Sequence, residues 1–227
     1  MKSFRKLLVV ALKPEWNFLK KTFSFQKINP QLYHFETDCA LFQTGMGWEN
    51  AEVHFEKFLE NSSVKSVLHF GTAGALTKNF KAGEVAKISE ITNVSHESLS
   101  FDSNFPPHLP PAKLYSSKMM LKNQGEKQVV HKEYQADLVD MESYPLAKAC
   151  QRKGIPYLGI RGVFDELSDD LENLNLPFKE SGELHPSKLT LNLITHPKLV
   201  FTLPAYKKRL EQLQKTWEDV IKWYLKE

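Results

Sequence analysis

The sequence lacks a long apolar run. The first, Leu7 to Leu12, is six residues long, and no stretch approaches the roughly 18 consecutive apolar residues that cross a bilayer. Positive charge precedes that run, but no small-residue cleavage site follows it. It leads instead into "KPEWNFLKK", which reads as helix, so the N-terminus is a buried strand rather than a signal peptide. Cysteine is nearly absent, with 2 residues in 227. Cys39 and Cys150 sit in apolar stretches without CxxC or Cys/His spacing, which points to buried free thiols and a reducing cytoplasm rather than disulfides or zinc. Charge of one sign is wanting too: 30 Lys and Arg stand against 27 Asp and Glu, spread along the chain. A nucleic-acid surface is therefore not implied. There is no GxGxxG turn and no P-loop, which leaves dinucleotide and nucleoside triphosphate sites unsupported. There is no GxSxG elbow for a serine hydrolase, and the 8 histidines show no HxxxH-type spacing for a metal. No cofactor or metal is called for.

What is present is an alternation of strand and helix. Leu7 to Ala11 is a β-prone run, and Pro14 suits the first turn of a helix carrying Trp16, Leu19 and Phe23. "LYHFET" and "CALFQTG" read as strands, and "WENAEVHFEKFLE" as a helix carrying Trp48, Val53, Phe55 and Leu59. Val64 to Phe70 is a further strand expected to run into a glycine turn, "GTAGAL". "GEVAKISEITNV" alternates as strands do. Residues 100–117 hold four prolines and read as a covering loop outside the core. "ADLVDM" returns to strand, "ESYPLAKACQRKG" is a helix closed by Gly154, and "IPYLGIRGVFD" is a buried strand ending on an acid. The pattern predicts an α/β fold: a three-layer single domain with a central mixed, largely parallel twisted sheet flanked by helices. It spans residues 1–227, with 171–227 a variable helical C-terminal region. There the polar stretch from residue 171 gives way to a stripe of Tyr206, Leu210, Leu213, Trp217, Val220, Ile221 and Tyr224, the face of one amphipathic helix.

Two groups of residues fall where chemistry is expected, at strand ends. One is a set of glycine-containing turns: "TGMGWENAE", "GTAGAL" and "AGEV". Singly each is as well explained by a tight turn, but small residues beside strand ends also let a ligand approach the backbone. The other is a set of carboxylates adjoining apolar runs: Glu15, Asp140 and Glu142 on either side of Met141, and Asp165. Acids are usually solvated. A buried carboxyl, however, holds its proton more tightly and can donate it, while an ionised one can accept sugar hydroxyls or a water proton. The set suggests sugar or nucleoside chemistry.

The stretches "VVALKPEW", "QTGMGWENAE", "HFGTAGALTKNFKAGEV" and "ADLVDMESYPLAKACQRKGIPYLGIRGVFDE" together resemble the nucleoside phosphorylase and nucleosidase superfamily. The resemblance is strongest to its methylthioadenosine/S-adenosylhomocysteine nucleosidase branch. It implies a purine nucleosidase that hydrolyses the N-glycosidic bond of an adenosine-type nucleoside. Asp165 matches the aspartate that protonates or hydrogen-bonds purine N7, and Glu15 the glutamate that directs the attacking water. Glu142 matches the glutamate that holds the ribose hydroxyls, and Met141 the methionine beneath the sugar. Thr72 matches a hydroxyl residue facing the reacting centre between Gly71 and Ala73, and Arg161 a supporting arginine. Phe164 stands where the nucleosidases have a small polar residue, and Met120 lies near the position of the base-stacking aromatic.

The resembling phosphorylases carry arginines where this chain has Glu15 and His69, which favours water over phosphate as acceptor. Phosphorolysis is the alternative, and a catalytically weak nucleoside-binding protein is an alternative of another class. The stretch "HPSKLTLNLITHPKLVFTLPAYKKRL" resembles the hopanoid-associated phosphorylase-like subgroup, which implies a lipid-linked adenosyl substrate. The partners implied are a small-molecule purine nucleoside and further copies of the chain as a homo-oligomer, with no nucleic acid and no integral membrane segment.

Overall fold

The computed structural model describes residues 2–101, 106, 108–171 and 199–227. Ten strands form one mixed sheet: β1 Lys2–Val10, β2 Gln26–Lys27, β3 Leu32–Phe35, β4 Cys39–Gln43, β5 Ser62–Ala75, β6 Val85–Thr92, β7 Ser98–Ser100, β8 Pro111–Ser116, β9 Leu138–Asp140 and β10 Tyr157–Asp165. The helices are α1 Lys13–Trp16, α2 Trp48–Asn61, α3 Gln124–Tyr134, α4 Ser143–Lys153 and α5 Leu199–Lys226, with a 3₁₀ turn over Asn17–Lys21. The strand order is β10-β6-β8-β9-β5-β1-β4-β3-β2, with β7 on β6. β10 also pairs with β5, so β5, β10, β6, β8 and β9 bond to one another in a ring. The β1–β4, β1–β5, β5–β10, β6–β8 and β8–β9 pairs are parallel. This is the α/β architecture that the alternation predicts.

Strand pleating divides the apolar residues between two faces. Leu8 and Val10 pack with Leu68, Phe70 and Ile160 against Leu213, Trp217, Val220, Ile221 and Tyr224 of α5. Leu7 and Val9 pack on the other side with Ala51, Phe55 and Leu59 of α2 and Leu146 and Cys150 of α4. The C-terminal stripe is thus buried against the chain's own sheet from Leu213 onward. The side chain of Tyr206 and the polar stretch from residue 172, with His185, lie outside the described residues. Both cysteines are free and buried.

Three readings need correction. The glycine stretch after Phe70 is not a turn: β5 continues through Ala75, because β10 pairs with it from Arg161↔Gly71 to Asp165↔Gly74 and β9 pairs with Gly74 and Ala75. Part of the proline-rich segment is core: Pro111 takes the first position of β8, where no ladder donor is required, and Ala112, Leu114 and Tyr115 are buried between β6 and β9. The helix after Pro14 does not reach Phe23, because the amides of Thr22 and Phe23 both close onto the Leu19 carbonyl and end it. Val53 lies on α2 as expected, 60% exposed and away from its packed face.

Helix α5 is pressed close to the sheet. A Cβ at Gly162 would stand 2.7 Å from both Leu213 Cδ2 and Trp217 Cζ2. The Trp217 indole is fully buried, and its Nε1 finds no hydrogen-bond partner among the described residues. Trp217→Ala is therefore expected to lower the unfolding free energy by about 3–5 kcal/mol. Trp217→Phe, which loses no hydrogen bond, should cost clearly less. Urea unfolding of the two variants beside the parent chain checks the order.

Candidate active site

The site lies where β1, β5, β9 and β10 reach their C-terminal ends. β1 ends at Val10, and Pro14 stands in the first turn of α1, which turns Glu15 back onto the strand end. Glu15 is buried, and three donors clasp its carboxylate. Oε1 accepts from Thr72 N at 2.8 Å and Thr72 Oγ1 at 2.9 Å, and Oε2 from Leu12 N at 2.9 Å. A Cβ at Gly71 would meet Oε1 at 3.0 Å, so only glycine lets the carboxylate lie this close to the strand. Burial raises the proton affinity of Glu15, and the Thr72 and Leu12 donors work against that rise.

Arg161, 1% exposed, ties the strand ends together. A guanidinium has five N–H donors, and each has an acceptor here. Nε donates to Asp140 Oδ2 at 2.9 Å. Nη1 donates to the carbonyls of His69 at 3.2 Å and Ile160 at 2.8 Å. Nη2 donates to Ser143 Oγ at 2.6 Å and to the His69 ring. Asp140 also accepts from Ser143 Oγ at 2.6 Å and from Ser143 N at 3.2 Å, which fixes the start of α4. Burial and the Arg161 charge hold His69 well below its ordinary proton affinity, so it is neutral. Its Nδ1 lies 2.8 Å from the Tyr157 hydroxyl and 2.7 Å from Arg161 Nη2, and its Nε2 lies 2.8 Å from the same Nη2.

Glu142 caps the N-terminal end of α4, buried, with Oε1 accepting from Gly47 N at 2.6 Å. Gly47, at φ +91°, starts α2, and a Cβ there would lie 3.8 Å from Met141 Cε. Burial, then the negative charge of Asp140, pushes Glu142 up to about 8, against the pull of the Gly47 amide. Two acids flank Met141, but their surroundings differ: Asp140 is an ion-pair partner inside the protein, and Glu142 Oε2 takes no hydrogen bond among the described residues.

Asp165 ends β10 just after a bulge, where the register shifts between Val163 and Asp165 and leaves Phe164 as the extra residue. Bulges re-aim the side chain that follows. Asp165 is buried over Gly74, where a Cβ would stand 2.7 Å from its Oδ2. Its partner is a residue the sequence does not signal. Lys127 of α3, with no exposed surface, donates from Nζ to Asp165 Oδ2 at 2.6 Å and to the Glu166 carbonyl at 2.6 Å. Burial raises Asp165's proton affinity and the Lys127 charge opposes the rise. Of the other expected residues, Ala73 lies in β5 between Thr72 and Gly74. Met120 is 46% exposed in the segment after β8, a segment that reaches the site through Ser117, whose amide donates to the Asp140 carbonyl at 2.7 Å. Among the described residues no cluster of His, Cys, Asp and Glu is placed to hold a metal ion, and no helix is long and apolar enough to cross a membrane.

A family model, the phosphorylase superfamily, matches residues 31–124 and 113–194. The chain belongs to the phosphorylase superfamily. A 5'-methylthioadenosine/S-adenosylhomocysteine nucleosidase of an Exiguobacterium species is 23% identical, across 90% of this chain and 98% of that protein. Among solved structures, a mutant Helicobacter pylori nucleosidase of the same kind with 5'-methylthioadenosine in its active site overlays with a TM-score of 0.69 at 12% identity. The overlay covers 96% of this chain and 98% of that one. A mutant futalosine hydrolase of the same organism gives 0.67 at 12% identity over 98% and 99% of the two chains. At these identities the overlays show a shared fold. Superfamily members bind nucleosides, and the three buried carboxylates of this member stand where β1, β9 and β10 end, the end of an α/β sheet at which ligands bind.

The buried carboxyls give stability a definite pH dependence. Glu142 holds its proton more tightly folded than unfolded, so its contribution is fully present below its ordinary value of 4.5 and is lost as pH rises through about 8. Glu15 and Asp165 shift in the same direction. His69 shifts the other way and offsets them below its ordinary 6.5, so the melting temperature is expected to fall between pH 7 and pH 9, and Glu142→Gln to flatten that fall without abolishing it. Thermal melts across that range read both slopes.

Proposed function

We propose that the chain hydrolyses the N-glycosidic bond of a purine nucleoside of the adenosine type, with methylthioadenosine and adenosylhomocysteine as the first candidates. In this reading the bond to the base breaks with its electron pair on the purine, and Asp165 gives its proton to N7 of the departing base. The sugar becomes cationic, and Glu142 holds its hydroxyls over Met141. Glu15 takes a proton from the water that adds to the anomeric carbon. Charges placed at both ends of the separating bond stabilise the transition state more than the ground state.

The observation that carries hydrolysis over phosphorolysis is the complete engagement of Arg161. Its five N–H groups all end on acceptors within the protein, and the position beside Thr72 is filled by the Glu15 carboxylate. A dianionic phosphate would meet a carboxylate there and no free guanidinium fork. A water molecule needs neither. Arg161 accordingly supports the site by holding Asp140, Ser143 and His69 in place. Phe164 contributes through its bulge, and Met120 offers an apolar side chain for the base. The reading includes action in the cytoplasm by one unit spanning residues 1–227, assembled as a homo-oligomer in which another copy covers the exposed Met46, Met119 and Met120.

Purified protein incubated with methylthioadenosine, adenosylhomocysteine, adenosine, inosine and futalosine is expected to release free base at the same rate with and without phosphate. Base release that requires phosphate would overturn the hydrolytic assignment in favour of phosphorolysis. Asp165→Asn is expected to lower kcat by about 10²- to 10⁴-fold while the far-ultraviolet circular dichroism stays that of the parent.

A further inference from the structure

Lys127 has the sequence setting of a surface lysine and none of its exposure. It comes from "NQGEKQVVHKEY", a polar segment whose helix α3 begins where Asn123 Oδ1 accepts from Glu126 N at 3.0 Å and Glu126 Oε2 accepts from Lys122 N at 2.6 Å. Four residues after the cap, Lys127 enters the protein with 0% of its side chain exposed. Burying an ammonium is expensive unless it is paired, and its pair is the carboxylate assigned to the chemistry. Its bonds to Asp165 Oδ2 and to the Glu166 carbonyl hold the last residue of β10 and the one that follows it. Asp165 Oδ1 takes no hydrogen bond among the described residues.

We propose that Lys127 is a positioning residue for Asp165: it fixes Oδ2, leaves Oδ1 to meet the purine, and stabilises the carboxylate that remains once the proton has passed to the departing base. This rests on the reading of Asp165 as the acid. A carboxylate left behind in a buried site would repel the charge developing on the base and stay uncompensated after transfer. The ammonium 2.6 Å away removes both difficulties. No co-reactant is required, since the proton moves from Asp165 to the ring nitrogen and solvent returns one to Asp165 after the base has left. The remaining charges that face Asp165 are Asp169 and Arg209 of the turn and α5, which pair with each other at 2.5 Å and act in opposite directions. Glu166, next in sequence, points away, its Oε1 accepting from Ala82 N and its Oε2 lying 4.0 Å from Lys81. Lys127 is therefore the cation whose removal changes the balance.

The test is the pH profile of kcat/KM for base release by Lys127→Met, Lys127→Gln and Lys127→Arg, with folding checked by circular dichroism. The basic limb reports loss of the Asp165 proton. In both neutral variants it is expected to move to higher pH by about 1–3 pH units, the range in which an opposite charge at this distance acts, while the maximal kcat falls about tenfold or more. Lys127→Arg, which keeps the charge, should hold the limb within about half a pH unit of the parent. An unmoved limb in a folded Lys127→Met or Lys127→Gln overturns the proposal. If neither neutral variant folds, a displaced limb in Lys127→Arg overturns it. Asp165→Asn separates the two levels: undiminished activity in that variant sinks the reading of Asp165 itself, whereas lost activity with an unmoved limb in Lys127→Met sinks the Lys127 role alone.

Discussion

The rest of the site depends on one buried cation with no donor to spare. Arg161 joins β10 to the carbonyl and ring of His69 on β5, to Asp140 at the end of β9 and to Ser143 at the start of α4. Removing one partner of such a pair strands a charge in the interior and typically costs about 3–5 kcal/mol. The pair also sets the electrostatics of its surroundings. Burial, reinforced by the Asp140 charge, raises the proton affinity of the neighbouring Glu142, while burial, reinforced by the guanidinium, lowers that of His69. A tightly satisfied network of this kind is stiff, and it fixes the end of β9, the start of α4 and the strand β10 from which Glu142 and Asp165 are presented.

The two acids assigned to bond cleavage are steadied in contrasting ways. Glu15 is held by neutral donors, two of them backbone amides, which lower the energy of its charged form without adding a full charge to the site. Asp165 is held by a full positive charge. In the proposed reaction one gains a proton from water while the other loses one, and in each case it is the charged form that has compensation already in place. Gly71 and Gly74, three residues apart on β5, lie under these two carboxylates and correspond to about 10 Å along the strand.

Much of this was readable beforehand, and the exceptions have physical causes. β1, β4, α2, α4 and β10 follow from apolar runs and helical spacing, and Glu15, Glu142 and Asp165 from acids placed where such runs stop. The glycines of "GTAGA" read as a turn because glycine breaks strands when nothing dictates otherwise. Here the flanking strands β9 and β10 dictate strand, and the missing side chains make room for Glu15 and Asp165. β8 hid behind its prolines, of which only Pro111 enters the strand, at the position that needs no donor. Lys127 was not legible at all. The Asn-x-x-Glu cap at 123–126 could have announced α3, but nothing local distinguishes a lysine that dives inward from its solvated neighbours; the distinction is made by a carboxylate 38 residues away.

The ring of β5, β10, β6, β8 and β9 also governs how copies of the chain can meet. Long strands whose backbone groups are left unpaired are templates for addition of a strand from another molecule. In this sheet the longer strands spend their hydrogen bonds on one another, and the path ends in β2, two residues long and carrying Lys27, with β7, three residues, as the side branch. An incoming strand would find two or three rungs, too few to outweigh the loss of its own freedom. Among the described residues, then, the sheet edges offer little to an added strand, which leaves association to side chains, whose pattern selects one partner where a backbone, the same in every protein, selects none.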